Sequence, residues 1–134
     1  MKILLHGLYG RSNVGDEFVC HATIEGLRRS LPREGQIFEF IALSTRPRAS
    51  QDFDPDSKVK FVKEGTIHPI VFPVLRSVCE ISKVDVDIAG GGGLVKDMYS
   101  WSLSFHTLLY QSIAVAFGKK AYCCNIGVGP LNSR

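Results

Sequence analysis

The chain has 134 residues, 45% of them hydrophobic and 22% charged, with a formal net charge of +3. That is the length of one domain able to bury a core, and its apolar runs fall far short of the roughly 20 residues of a membrane span. The small positive charge is dispersed in pairs such as Arg28-Arg29 and Lys119-Lys120, which excludes a nucleic-acid footprint but permits small anionic ligands. The four cysteines, Cys20, Cys79, Cys123 and Cys124, show no C-x-x-C spacing, so a disulfide framework is not expected and a reducing cytoplasm fits.

Met1-Lys-Ile-Leu-Leu5 is cut short by His6 and Gly7, too early for a signal-peptide core, and reads as a buried first strand. The loop Gly7-Leu-Tyr-Gly-Arg-Ser-Asn-Val-Gly-Asp-Glu17 follows it. From Asp16 to Ser30, apolar residues at three- and four-residue spacing predict a helix. Its acids, Asp16 and Glu17, stand at the positive end and its basic pair, Arg28-Arg29, at the negative end. Ile37 to Leu43 predicts a second strand, Ser44 to Ser57 a loop, and Lys58 to Val62 a third strand near a sheet edge, because its alternate positions are charged. Pro69 and Pro73 predict a broken or late-starting helix before Lys83. Val84-Asp-Val-Asp-Ile88 alternates as a fourth strand and runs into Gly90-Gly-Gly-Gly93. Ser102 to Phe117 predicts a second strong helix stopped by Gly118, and Ala121 to Cys124 a last strand leading into Asn125-Ile-Gly-Val-Gly-Pro130.

Strands alternating with helices argue for an α/β fold, a Rossmann-like parallel sheet with helices on both faces. Ligands in such sheets bind beyond the carboxyl ends of the strands, where strand order reverses, commonly between the first and fourth. Those two strands carry the two richest glycine loops here.

Gly7-x-x-Gly10-x-x-x-x-Gly15 is neither a dinucleotide fingerprint nor a phosphate loop with its lysine and hydroxyl, so NAD and ATP are not indicated. What remains is a glycine loop opening onto a helix N-terminus, which favours anions or sugar oxygens, or else a tight turn capped by Asp16. Asp16 and Asp97 each trail a strand and can converge across the crevice. Paired carboxylates raise one another's pKa and supply a base for a hydroxyl, although Asp97 can equally cap the helix that follows. Ser12 and Asn13 suit ligand hydroxyls or their own turn, and Tyr99 and Trp101 suit a sugar face or the core. His6 ends the first strand and can point into the site, His21 faces crevice or solvent, and His106 is expected as a satisfied core residue. No histidine has metal-ligand spacing, so no metal is expected.

Taken together, Gly7 to Glu17, Asp87-Ile-Ala-Gly-Gly-Gly-Gly-Leu-Val-Lys-Asp97 with Ser100, and Asn125-Ile-Gly-Val-Gly-Pro-Leu131 resemble the polysaccharide pyruvyl transferase family. The resemblance implies one lobe of a GT-B-like two-lobed enzyme of exopolysaccharide biosynthesis. Such an enzyme moves the enolpyruvyl unit of phosphoenolpyruvate onto a sugar hydroxyl, leaving a pyruvate ketal on a cell-surface polysaccharide. It implies Asp16 and Asp97 as catalytic residues and Asn13, Gly15, Glu17, Gly91, Gly92, Gly93, Gly127 and Gly129 as substrate-binding ones. Ile126 departs from the family pattern, where a polar residue is expected. By that likeness residues 1–134 are expected to be the N-terminal lobe alone, without the C-terminal lobe that brings the basic residues for phosphoenolpyruvate, and the isolated chain is expected to be inactive or nearly so. Phosphoenolpyruvate is then a donor substrate and no cofactor is implied. The expected location is the cytoplasm or the cytoplasmic face of the membrane, with a sugar acceptor as partner and homo-oligomerisation left open. Two other readings stand beside this one: a nucleotide-sugar glycosyltransferase lobe, and a truncated non-catalytic saccharide-binding or interaction module.

Overall fold

A computed structural model of the chain describes residues 1–32, 35–53, 55, 58–64, 72–91 and 101–127. Five parallel strands, β1 (Lys2–His6), β2 (Glu39–Ser44), β3 (Val59–Lys63), β4 (Val86–Gly90) and β5 (Lys120–Cys124), form one sheet in the order β3-β2-β1-β4-β5. Strand order reverses between β1 and β4, which pair from Ile3 opposite Val86 to His6 opposite Ala89. This is the Rossmann-like α/β arrangement expected, with β3 at an edge.

Helix α1 (Val14–Ser30) and helix α2 (Pro47–Phe53) accompany the β1 to β3 half, while α3 (Phe72–Ser82) and α4 (Trp101–Ala116) pack together on the opposite face. Right-handed crossovers dictate this division, because the chain first moves one way across the sheet and then back past β1. Strand alternation sorts the core accordingly. Ile3 and Leu5 join Cys20, Ile24, Phe40 and Ile88 on the α1 side. Leu4 joins Ile41, Leu43, Ile81, Tyr110 and Ala114 on the other. Each leucine, isoleucine or phenylalanine among them that is withdrawn from water contributes roughly 1.5–3 kcal/mol.

Local chemistry accounts for the helix ends. Asn13 caps α1, accepting the Gly15 N–H at 3.1 Å with its side-chain oxygen, so Asp16 is not the cap. The 44–57 stretch read as a loop contains α2, which Pro47 opens at a position where its missing N–H costs nothing. The same rule explains α3. Pro73 is its second residue, so the helix starts late, at Phe72, as expected, and then runs unbroken to Ser82; Pro69 lies outside the described residues. Helix α4 closes on Gly118 at φ +69°, with Gly118 N–H bonded to Val115 O and Lys119 N–H to Ala114 O, each at 2.9 Å. All four cysteines are free.

Candidate functional site

Two constellations stand at the sheet where strand order reverses, one on each face. The first joins the loop after β1 to the turn after β4 on the α1 side. Tyr9 is fully buried between them and its hydroxyl donates to the Gly90 carbonyl. A Cβ on Gly7 would lie 2.2 Å from Gly90 O, and one on Gly91, which has φ +86°, would press on Tyr9 and Val19 at 3.2 Å. Glycine is therefore required for the two loops to touch. Gly10, at φ +79°, donates its N–H to the buried Glu17 carboxylate. Glu17 thus ties the loop to the helix it opens, while its Oε2 finds no partner among the described residues.

Asp16 is 8% exposed and its Oδ2 accepts from the Asn13 amide at 2.9 Å. Asn13 and Gly15 lie exposed at the start of α1, and Gly91 is buried. Gly127 is exposed beyond β5, following Asn125, whose left-handed backbone turn is held by its amide donating to Thr23 Oγ1 at 3.0 Å. Asp97, Gly92, Gly93 and Gly129, with Tyr99, lie outside the described residues, so the distance between the two candidate acids is not described. The structure thus brings together Glu17, Gly10 and Gly91 through Tyr9, a residue sequence reasoning had passed over.

Burial pushes the Tyr9 hydroxyl well above its ordinary pKa of 10, and Cys20 and the acids Glu17 and Asp16 push it further the same way. The neighbouring Cys20 thiol is pushed up to about 12, first by burial and then by the charge of Glu17. Both remain neutral donors at physiological pH, and Cys20 is no nucleophile.

The second constellation lies on the α3–α4 face. His6 and Asp87 are buried at the centre of the sheet, with His6 Nε2 3.2 Å from Asp87 Oδ2. The Gln111 amide of α4 donates to the same oxygen at 2.7 Å and lies 3.2 Å from His6 Nε2. With its proton on Nε2, His6 donates to the carboxylate oxygen that also accepts from Gln111; with Nε2 bare, it accepts from the Gln111 amide instead. Tyr110 meets the His6 ring edge-on at 5.4 Å, and His106 stacks on Tyr110 at 5.9 Å.

Glu64, just beyond β3, is 7% exposed, and its N–H is bonded to Ser44 O at 2.7 Å. Burial pushes its carboxyl up to about 7, against the opposing pull of Arg11 and His6. Tyr110 is raised by burial, with Ser77 pulling it down and Glu64 adding to the rise, while His106 is lowered by burial and by Arg11. Among the described residues, Glu64 Oε2, Asp87 Oδ1 and His106 Nε2 are buried without a hydrogen-bond partner.

His6 therefore points into a polar cluster, as its position at a strand end allowed. His106 stacks on Tyr110 but is only partly buried, and its Nε2 has no partner among the described residues, so it is not the satisfied core residue expected. His21 faces neither crevice nor bulk solvent; its ring packs on Phe53 and Phe61. Glu64, Asp87 and Gln111 were missed. A signal existed for Asp87, since a parallel strand covered on both faces has no solvent side for a carboxylate. Around the rim, Arg11 is exposed and Arg46 reaches across to Ser12 Oγ at 3.0 Å.

A cavity of about 450 Å³ lies elsewhere, on the α1 side of β4 and β5, and is lined mainly by apolar residues such as Leu27, Val86, Ile88 and Tyr122. Its chemistry does not suit the polar ligands expected at the rim. Among the described residues no group of three or more His, Cys, Asp or Glu has the arrangement of a metal site, and no helix is long and apolar enough to cross a membrane. No protein-family model matches this chain, and neither a curated protein nor a solved structure does.

Proposed function

We propose that the chain is a polysaccharide pyruvyl transferase lobe, which handles the acceptor sugar while phosphoenolpyruvate is held largely by a second, GT-B-like lobe. The observation that carries this reading is the direct contact of two glycine loops at the switch point. Tyr9 bonds Gly90, and neither Gly7 nor Gly91 has room for a side chain. These glycines are themselves buried, and it is Asn13 and Gly15, exposed at the start of α1, that stand open beside them, at a helix N-terminus suited to sugar oxygens or the charge developing during group transfer. The three glycine-rich segments resembling the family supply the reaction itself.

Charge supports the division of labour. Phosphoenolpyruvate carries a carboxylate and a phosphate, and orienting both calls for several fixed cations. Among the described rim residues, Arg11 and Arg46 are the arginines in range, and Arg46 is engaged with Ser12. In this proposal Asp16 or Asp97 deprotonates or orients the acceptor hydroxyl. The setting is the cytoplasm or its membrane face.

The test is ketal formation from phosphoenolpyruvate on a sugar acceptor, followed by NMR, in the enzyme containing this lobe. Asp16→Asn and Asp97→Asn are compared with wild type, each with its thermal melt. A loss of at least about 100-fold in a folded variant is expected for a general base. Full activity in both variants rejects these roles.

A further inference from the structure

Helix α4 holds no aspartate, glutamate, lysine or arginine in its 16 residues. Thr107, Tyr110 and Ala114 recur at three- and four-residue spacing on one side of it and are buried, the last two in the core with Leu4 and Ile81. Phe105, Leu108, Ser112 and Val115 recur on the opposite side and are exposed, Phe105 by 55%, Leu108 by 64% and Val115 by 63%. The outer side of a surface helix ordinarily carries charge, as α1 does with Glu25 and Arg29. A helix apolar on both sides calls for cover on both. Single apolar residues in solvent need no explanation, but three in line along one helix form a patch that does.

The chemistry of this face selects its occupant. Helices that lie on a membrane surface flank their apolar side with lysines and arginines, and α4 has none. A different protein is chosen largely by matching charge, and the stripe offers none to match. A second copy of the chain needs no such match, because an uncharged patch facing itself across a two-fold axis brings no like charges together. Spacing agrees. Positions 105, 108, 112 and 115 follow the three-four-three rhythm of a helix-pair seam. Parallel copies set Ser112 against Ser112 and leave a gap, whereas antiparallel copies set Leu108 over Ser112 and Phe105 over Val115, large against small both times. The exposed parts of Phe105, Leu108 and Val115 come to roughly 100 Å² each, about 600 Å² over two copies. With Ser112, Ala116 and a polar rim the pair reaches about 1,000 Å², the low end of specific interfaces.

We propose that the exposed face of α4 is a homodimer interface, on which the chain meets a second copy of itself across a two-fold axis with the two α4 helices antiparallel. Phe105 packs on the partner's Val115 and Leu108 on the partner's Ser112, and the axis crosses α4 at the level of residue 110. The pairing does not rest on the transferase reading. It leaves free the α1 side of the sheet, where Tyr9 joins the two glycine loops.

Sedimentation equilibrium of the 134-residue chain tests the interface. The expected result is a monomer–dimer equilibrium with a dissociation constant in the micromolar range, as suits an interface of this size. Leu108→Glu should raise that constant at least about 100-fold, since the change counts twice across the axis, and should keep the far-UV circular dichroism because the position is exposed in the monomer. Arg29→Glu, on the outer side of α1, leaves the equilibrium as it is. Phe105→Glu and Val115→Lys are each expected to be monomeric and, when mixed, to recover a one-to-one dimer in which the introduced carboxylate meets the introduced ammonium. A wild-type chain that stays monomeric up to about ten times the highest constant expected overturns the proposal, and its flotation with vesicles of phosphatidylcholine and phosphatidylglycerol then gives the face to a membrane. A dimer indifferent to Leu108→Glu in a folded variant overturns it as well. Two folded monomeric variants that fail to pair with each other overturn the antiparallel arrangement.

Discussion

Replacing Glu64 by glutamine should make the protein more stable in mild alkali and nearly abolish one component of its pH dependence. The Glu64 carboxyl is raised from its ordinary 4.5 to about 7, chiefly by burial, because at 7% exposure the ionised form has lost its water. Arg11 and His6 favour the charge without overcoming that loss, and the Glu64 charge in turn raises Tyr110 on α4. The folded state therefore holds a proton that the unfolded chain has already released between pH 4.5 and 7, and stability falls as pH rises through that window. A rise of about 2.5 units corresponds to about 3 kcal/mol, present in full below pH 4.5 and lost above 7. Glutamine stays neutral throughout. At pH 8 the variant should exceed wild type by about 2 kcal/mol, after about 1 kcal/mol is deducted for an amide proton left without a partner. That is roughly 8 °C in melting temperature for a domain of this size. Urea unfolding at several pH values from 4 to 8, read as the difference between the two proteins, isolates this group from every other titration. Parallel curves across that range, or a variant less stable than wild type at pH 8, would refute the reasoning.

The contact between the two glycine loops can be tested by stability alone. Tyr9→Phe keeps the ring and deletes the donor to Gly90 O, and should cost about 1–2 kcal/mol in urea unfolding; an unchanged midpoint would mean that this hydrogen bond does not hold the loops together. Gly10→Ala forces a Cβ to 2.2 Å from Ser44 Oγ and 2.4 Å from Arg46 N, on a backbone at φ +79°. A loss of at least about 2 kcal/mol is expected from the left-handed conformation and the displaced main chain, and a wild-type melting curve would contradict the loop geometry.

Much of the architecture is legible in residue order because its causes are local. Ile3-Leu4-Leu5 is apolar at every position, as a strand covered on both faces must be, and Gly118 ends α4 where a left-handed residue is needed. The error is local too: the 44–57 stretch was read as a loop, yet Pro47 opens α2, because in a first turn proline sacrifices no hydrogen bond. The candidate site was half visible. Glycine loops advertise close approach, but which side chain fills the gap between them depends on partners about 80 positions away, as Tyr9 and Gly90 are.

By itself the sequence determined the alternation of strands and helices, the parallel sheet it implies and the rim on which the glycine loops fall, since periodicity, turn chemistry and crossover handedness act over short stretches of chain. Only the tertiary structure decided that His6, Asp87, Gln111 and Glu64 share one buried neighbourhood while His21 does not. Strand register sets which face each side chain takes, and burial removes the water that would have made their charges independent; neither is written in any segment read alone.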